Sequence, residues 1–93
     1  MTNENEKTIT LKVAGGSNPN SVGGAIVKNL EENKDVYVLA VGAGAVNQAT
    51  KAIAIASGFA APQGMSLLTR VGFTDVDIEG EEKTALKWKI VVE

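Results

Sequence analysis

Twice in this chain an apolar strand ends at glycine and runs straight into a helix that opens with small polar residues. The first unit is KTITLKVAGG followed by SNPNSVGGAIVKNLEENKD. The second is DVYVLAVGAG followed by AVNQATKAIAIASGF. This tandem constrains the fold more than anything else in the sequence. Two strands joined through a helix pair side by side and parallel, by a right-handed crossover.

In the first unit Ile9, Leu11 and Val13 alternate with Thr8, Thr10 and Lys12, the period of a half-buried strand. Gly15 and Gly16 end it. Asn18 before Pro19 marks a helix start, since Asn caps free amides and Pro suits the first helical position. Val22, Ala25, Ile26 and Leu30 follow at helical spacing. Gly23 and Gly24 each cost roughly 1 kcal/mol against Ala in a helix, which points to a close approach there by another backbone or a ligand.

In the second unit the continuous apolar run Val36 to Val41 predicts a strand covered on both faces or lying centrally in the sheet. The helix after it carries a stripe of Val46, Ala49, Ala52, Ile53 and Ala56, and Gly58 is expected to close it in a left-handed conformation. The loop AAPQG follows. MSLLTRVGFTDVDI predicts a long strand. Leu67, Thr69, Val71 and Phe73 share one parity, and Val76 and Ile78 the other, so a bulge or bend is expected near Gly72–Asp75. EGEE is a turn. KTALKWKIVVE is the last strand, with Leu86, Trp88, Ile90 and Val92 inward and Lys87 and Lys89 outward.

The predicted fold is a two-layer α/β sandwich of order β-α-β-α-β-β. A mixed four-stranded sheet carries two helices on one face and leaves the other open to solvent or a partner. The 93 residues suit one domain. Residues 1–6 are expected to form a flexible tail and residues 7–93 the domain.

Composition narrows the function. Nine Lys/Arg against eleven Asp/Glu give a net charge of −2, without the basic excess of a typical nucleic-acid binder. There is no Cys, hence no disulfide or thiolate metal site, and no His, the usual general base near neutral pH. No apolar run approaches the roughly 18 residues of a membrane span, and MTNENEKT is unlike a secretory signal. The expectation is a cytoplasmic protein with no membrane association, no metal and no cofactor. It is not expected to be an enzyme, because no base is present to activate its Ser or Thr residues. GAGAVN places Asn47 where a dinucleotide fingerprint needs its third glycine. The acidic cluster Asp75, Asp77, Glu79, Glu81 and Glu82 lacks the spacing of a calcium loop and fits a solvated hairpin.

If the first two strands are parallel, both helix starts lie on one edge of the sheet, where amides and helix dipoles attract anions. That rim comprises Ser17, Asn18, Asn20, Ser21, Gly42, Gly44, Asn47, Gln48 and Lys51. Helix caps and tight turns account for the same residues. Small side chains on both surfaces of the second helix (about residues 45–57) point to self-association as a homodimer or higher homo-oligomer. A tight helix–sheet contact inside one subunit accounts for them equally.

SNPNSVGGAI, GAGAVNQATKAIAIASGFAAPQG and FTDVDIEGEEKTA closely resemble the stage V sporulation protein S family, over roughly residues 9–87. That family is Alba-like, which implies the same β-α-β-α-β-β order, a role in regulating spore development and no known catalysis. Alba proteins are small dimeric DNA- and RNA-binding proteins. Gly42, Gly44, Ala45, Asn47, Gln48, Lys51 and Ala52 match the family's signature at the start of the second helix. In Alba proteins this region, the loop before the first helix and the last hairpin contact nucleic acid; here the latter two are residues 15–21 and roughly 74–84. The loop lacks the lysines of Alba proteins, and IEGEEKT is acidic enough to repel phosphates.

The resemblance thus implies nucleic-acid binding with RNA or single strands favoured over duplex DNA. Asn and Gln can meet bases without adding charge. Lys51 and Arg70 would contact phosphate, and Lys12, Lys87 and Lys89 would add a mild basic strip on the open sheet face. The alternative is a protein-interaction module that kept the scaffold and lost nucleic-acid binding.

Overall fold

The computed structural model describes residues 7–93. The expected tail, residues 1–6, lies outside the described residues. The elements are β1 (Thr8–Val13), α1 (Pro19–Glu31), β2 (Asp35–Ala40), α2 (Ala43–Ala60), a 3₁₀ turn (Ala61–Gln63), β3 (Leu67–Ile78) and β4 (Glu81–Val92). The sheet order is β1-β2-β4-β3. β1 and β2 are parallel, and β4 pairs antiparallel with both β2 and β3. The expected topology is therefore observed, and β2 is central.

Register sorts the side chains into two faces. Ile9, Leu11 and Val13 align with Val36, Val38 and Ala40. These align in turn with Ile90, Trp88 and Leu86. This face packs under Ile26 and Val27 of α1 and Ala45, Ala49, Ala56 and Ala60 of α2 to form the core. The opposite face of β2 carries Tyr37 and Leu39, which are only half-buried. The apolar run thus reflects a central position, without a second covering layer.

α1 begins as expected. Asn18 is the N-cap, and its Oδ1 accepts from the Asn20 N–H at 2.8 Å and the Ser21 N–H at 3.3 Å. The buried stripe differs slightly from the expected one. Gly23, Ile26 and Val27 are buried, while Val22, Ala25 and Leu30 are half-buried. The cause is that α1 packs on α2 as well as on the sheet. Gly23 faces the Ala52 carbonyl and Ile55, the close approach expected of it. Gly24 faces open space, and nothing in the structure explains it.

α2 does not end at Gly58. The helix continues to Ala60, which is fully buried, and the left-handed glycine is Gly64 at φ +79°. The Met65 N–H donates to the Ala60 carbonyl at 3.1 Å and the Gly64 N–H to the Ala61 carbonyl at 3.0 Å. This is the paired-bond closure of a Schellman motif. The mechanism was legible in the sequence, but the segment AAPQG supplies it through the 3₁₀ turn.

β3 has no bulge. Its register with β4 is unbroken from Leu67↔Val92 to Ile78↔Glu81. Asp75 and Asp77 therefore lie on the helix side, and Val76 and Ile78 on the open side. The parity switch is tolerated because β2 ends at Ala40, opposite Leu86. Beyond that point the hairpin has no layer of core to answer to. It closes in a two-residue turn with positive φ at Glu79 and Gly80, as a twist-matched hairpin requires. Asp77 Oδ1 braces the turn by accepting from the Gly80 N–H at 2.9 Å.

Candidate nucleic-acid interface

The parallel β1–β2 pair places the starts of α1 and α2 on one edge, as the sequence predicts. The two loops are joined there. The Gln48 Nε2 donates to the Ser17 carbonyl at 2.9 Å. Gly15 and Gly44 stand side by side here: a Cβ on Gly44 would lie 3.7 Å from the Gly15 Cα, an ordinary van der Waals contact. Ser17 Oγ accepts from the Ala14 N–H at 2.9 Å. Ser17, Asn18 and Gln48 are thus engaged in holding the rim together.

The rest of the rim faces outward. Asn20, Ser21, Gly42, Gly44, Asn47 and Lys51 are exposed. Gly42 is the N-cap of α2 at φ +89° and provides no side-chain cap. The first helical bond runs from the Val46 N–H to the Gly42 carbonyl at 3.0 Å. The amides of Ala43, Gly44 and Ala45 therefore lack intrahelical partners, the arrangement that favours an anion. Asn47 and Lys51 are one turn apart, so they share a face of α2.

Arg70 is not part of this rim. It sits on the open side of β3, opposite Lys89. Together they line a shallow pocket of about 410 Å³ with Asn33, Lys34 and Asp35, at the far end of the strands. Lys12, Lys87 and Lys89 do share the open face, as expected from their parity. The Lys87 Nζ lies 4.5 Å from the centre of the Tyr37 ring, a cation–π contact that sequence reading missed.

The acidic hairpin is split by the unbroken register. Asp75, Asp77 and Glu82 fall on the helix side, and Glu81 pairs with Lys83 at 3.8 Å on the open side. The hairpin nevertheless comes close to the loop after β1. Asp77, Val76 and Ile78 line a groove of about 390 Å³ with Lys12, Gly15, Leu39 and Val41. Among the described residues, no group of three or more His, Cys, Asp or Glu is placed to hold a metal ion. No helix of the described residues is long and apolar enough to cross a membrane.

A further surface escaped the sequence reading. Val71 and Phe73 point to the helix side of β3, but the helices stop short of this edge. Val71 is 58% and Phe73 81% exposed. Their parity with Leu67 was visible; that nothing covers them was not.

A mixed sheet in the order β1-β2-β4-β3 with two helices on one face is an Alba-like fold. Alba from Thermoplasma volcanium has a similar structure, with a TM-score of 0.58 and 14% identity, covering 91% of this chain and 99% of that chain. At that identity the likeness is one of fold. The chain belongs to the Stage V sporulation protein S (SpoVS) family, whose model matches residues 9–93. The match extends through the C-terminal strand, beyond the segments that carried the resemblance. Family membership brings a sporulation-related role.

Proposed function

We propose that this protein is a non-enzymatic, cytoplasmic regulator of sporulation or development that binds nucleic acid as a homo-oligomer, preferring RNA or single strands to duplex DNA. The observation that best supports this is the uncapped, glycine-opened start of α2, with Asn47 and Lys51 exposed beside it on an Alba-like scaffold. The amides and Lys51 would hold a phosphate, and Asn20 and Asn47 would meet a base or sugar edge. Ser17, Asn18 and Gln48 would contribute by fixing the loop rather than by reaching the ligand.

Self-association through α2 draws support from its neighbouring edge. The alanines of α2 at positions 45, 49, 52, 56 and 60 are buried within the chain, so a contact inside one subunit accounts for them. The exposed Val71 and Phe73 are what a second subunit would cover, together with the outer face of α2 around Ala54, Ser57 and Gly58. The same apolar edge, beside Asp75, Asp77 and Glu82, favours the second reading, a protein-interaction module.

The test is fluorescence anisotropy of labelled single-stranded RNA, duplex RNA and duplex DNA at low and physiological salt. Saturable, salt-sensitive binding that Lys51→Glu weakens at least tenfold is expected. Absence of binding at low salt would refute the reading and favour a protein partner.

A further inference from the structure

We propose that the open face of the sheet is a second nucleic-acid surface, a platform on which a single strand of RNA lies across β1, β2, β4 and β3. The inference rests on the nucleic-acid reading above and adds a surface on the side of the sheet away from the helices.

Two adjacent rows of side chains carry it. One row runs Lys12, Leu39, Lys87, Gly72; the next runs Thr10, Tyr37, Lys89, Arg70. They hold four of the nine Lys and Arg residues of the chain and no carboxylate. The ion pairs among the described residues are Lys34–Glu32 and Lys83–Glu81, so these four cations have no acidic partner there. The carboxylates nearest this field are Asp35, which starts β2 and shares a pocket with Arg70 and Lys89, Asp77, which reaches the groove beside Lys12 from the hairpin, and Glu81, paired with Lys83 at the hairpin tip; none is within ion-pair distance of the four cations. A chain of net charge −2 has thus collected an unpaired cationic field on one side of its sheet.

The arrangement is unfavourable for the protein alone. Lys89 and Arg70 are directly opposite one another, and like charges so placed destabilise a sheet. An anion laid across them removes that repulsion. The centre of the field is apolar and aromatic: Tyr37 and Leu39 are half-buried and reachable from solvent. Tyr37 already lies under Lys87, so a base stacking on the ring would displace the ammonium toward a phosphate. Gly72 leaves the row beside Lys87 bare, with open space where a Cβ would stand. Glycine in a strand interior often marks where a ligand approaches the backbone.

These features favour a single strand over a duplex. Adjacent strands are about 4.8 Å apart, so the four cations span roughly 15 Å of the sheet surface. A single strand can place its bases on such a floor and its phosphates on the surrounding cations, whereas duplex bases are stacked away from it.

The experiment is an NMR titration of the wild-type protein with a 10-nucleotide single-stranded RNA, alongside anisotropy with the same RNA. The expected result is shifts at Thr10, Tyr37, Leu39, Gly72, Lys87 and Lys89. Lys87→Gln with Lys89→Gln should weaken binding at least tenfold, and reduce the dependence of log K on log salt by about 1.4, from two lost contacts on a single strand. Tyr37→Leu should weaken binding while leaving that dependence unchanged. Shifts confined to residues 15–21 and 42–51, with binding lost only on Lys51→Glu, would overturn the platform and leave the rim reading standing. Shifts on the open face without any at the rim would support the platform and remove the rim. Equal shifts with polyglutamate, or equal affinity for duplex, would overturn the assignment to single-stranded RNA. Absence of binding by either surface would overturn both.

Discussion

Gly23→Ala should destabilise this protein and Gly24→Ala should stabilise it, although the two glycines are adjacent in α1. Each replacement removes a helix cost of roughly 1 kcal/mol. At Gly24 the new methyl meets nothing within 4 Å, so that gain remains. At Gly23 the methyl would lie 2.8 Å from Ile55 Cγ2, 3.2 Å from Ile55 Cβ and 3.0 Å from the Ala52 carbonyl oxygen. Neither neighbour yields easily. A β-branched side chain in a helix has one strongly preferred rotamer, and the carbonyl belongs to the backbone of α2. Relief requires α1 to move off α2, and overpacking of this kind costs about 1–3 kcal/mol. The net loss for Gly23→Ala is therefore about 1 kcal/mol, and the gain for Gly24→Ala about the same size. In a domain of this length each corresponds to roughly 4–8 °C in Tm. Thermal and urea unfolding followed by circular dichroism would measure both. In an Ile55→Ala background the Gly23→Ala cost should shrink, leaving the part due to the Ala52 carbonyl. A Gly23→Ala protein melting at or above the wild type would refute the argument that this glycine exists for helix contact.

Three further outcomes are expected. Gly58→Ala should raise stability by about 1 kcal/mol, since Gly58 is inside a helix and faces open space, whereas Gly64→Ala should lower it by about 1 kcal/mol because of its positive φ; urea midpoints in the reverse order would return the helix end to Gly58. Asn18→Ala should cost about 1 kcal/mol by freeing the Asn20 and Ser21 amides, and an unchanged midpoint would show that water replaces the cap fully. On the proposed self-association, wild-type protein should have the mass of an oligomer in light scattering and Phe73→Glu that of a monomer with an intact far-ultraviolet spectrum; a monomeric wild type would refute the self-association, and an unchanged oligomer mass would remove this edge from it.

Much of the fold was legible because local chemistry and global topology agree. Alternation in β1, the Asn-Pro start of α1 and the Glu79–Gly80 turn each need only neighbouring residues to act. Glycine-ended strands entering helices forced β1 and β2 into parallel register, and this alone brought the two helix starts together. Where structure and sequence pattern part, long-range burial is the cause. The parity switch at Val76 implies a bulge only if the apolar face of a strand stays the core face along its length. That holds only where a layer covers it, and the outer hairpin has passed beyond β2. Gly58 has the left-handed competence of a helix end, but the burial of Ala60 draws the helix past it.

By itself, then, the sequence determined the elements, their order, the parallel crossover, the family and the composition of the rim, all of which depend on spacing or on short motifs. Tertiary structure alone decided which rim residues are occupied in holding loops together, that Arg70 lies away from them, and that Arg70 joins the expected strip of Lys12, Lys87 and Lys89 around Tyr37. Those facts depend on register between strands distant in the chain. A one-residue shift in register would send every side chain of a strand to the opposite face, and no local pattern records which register long-range packing selects.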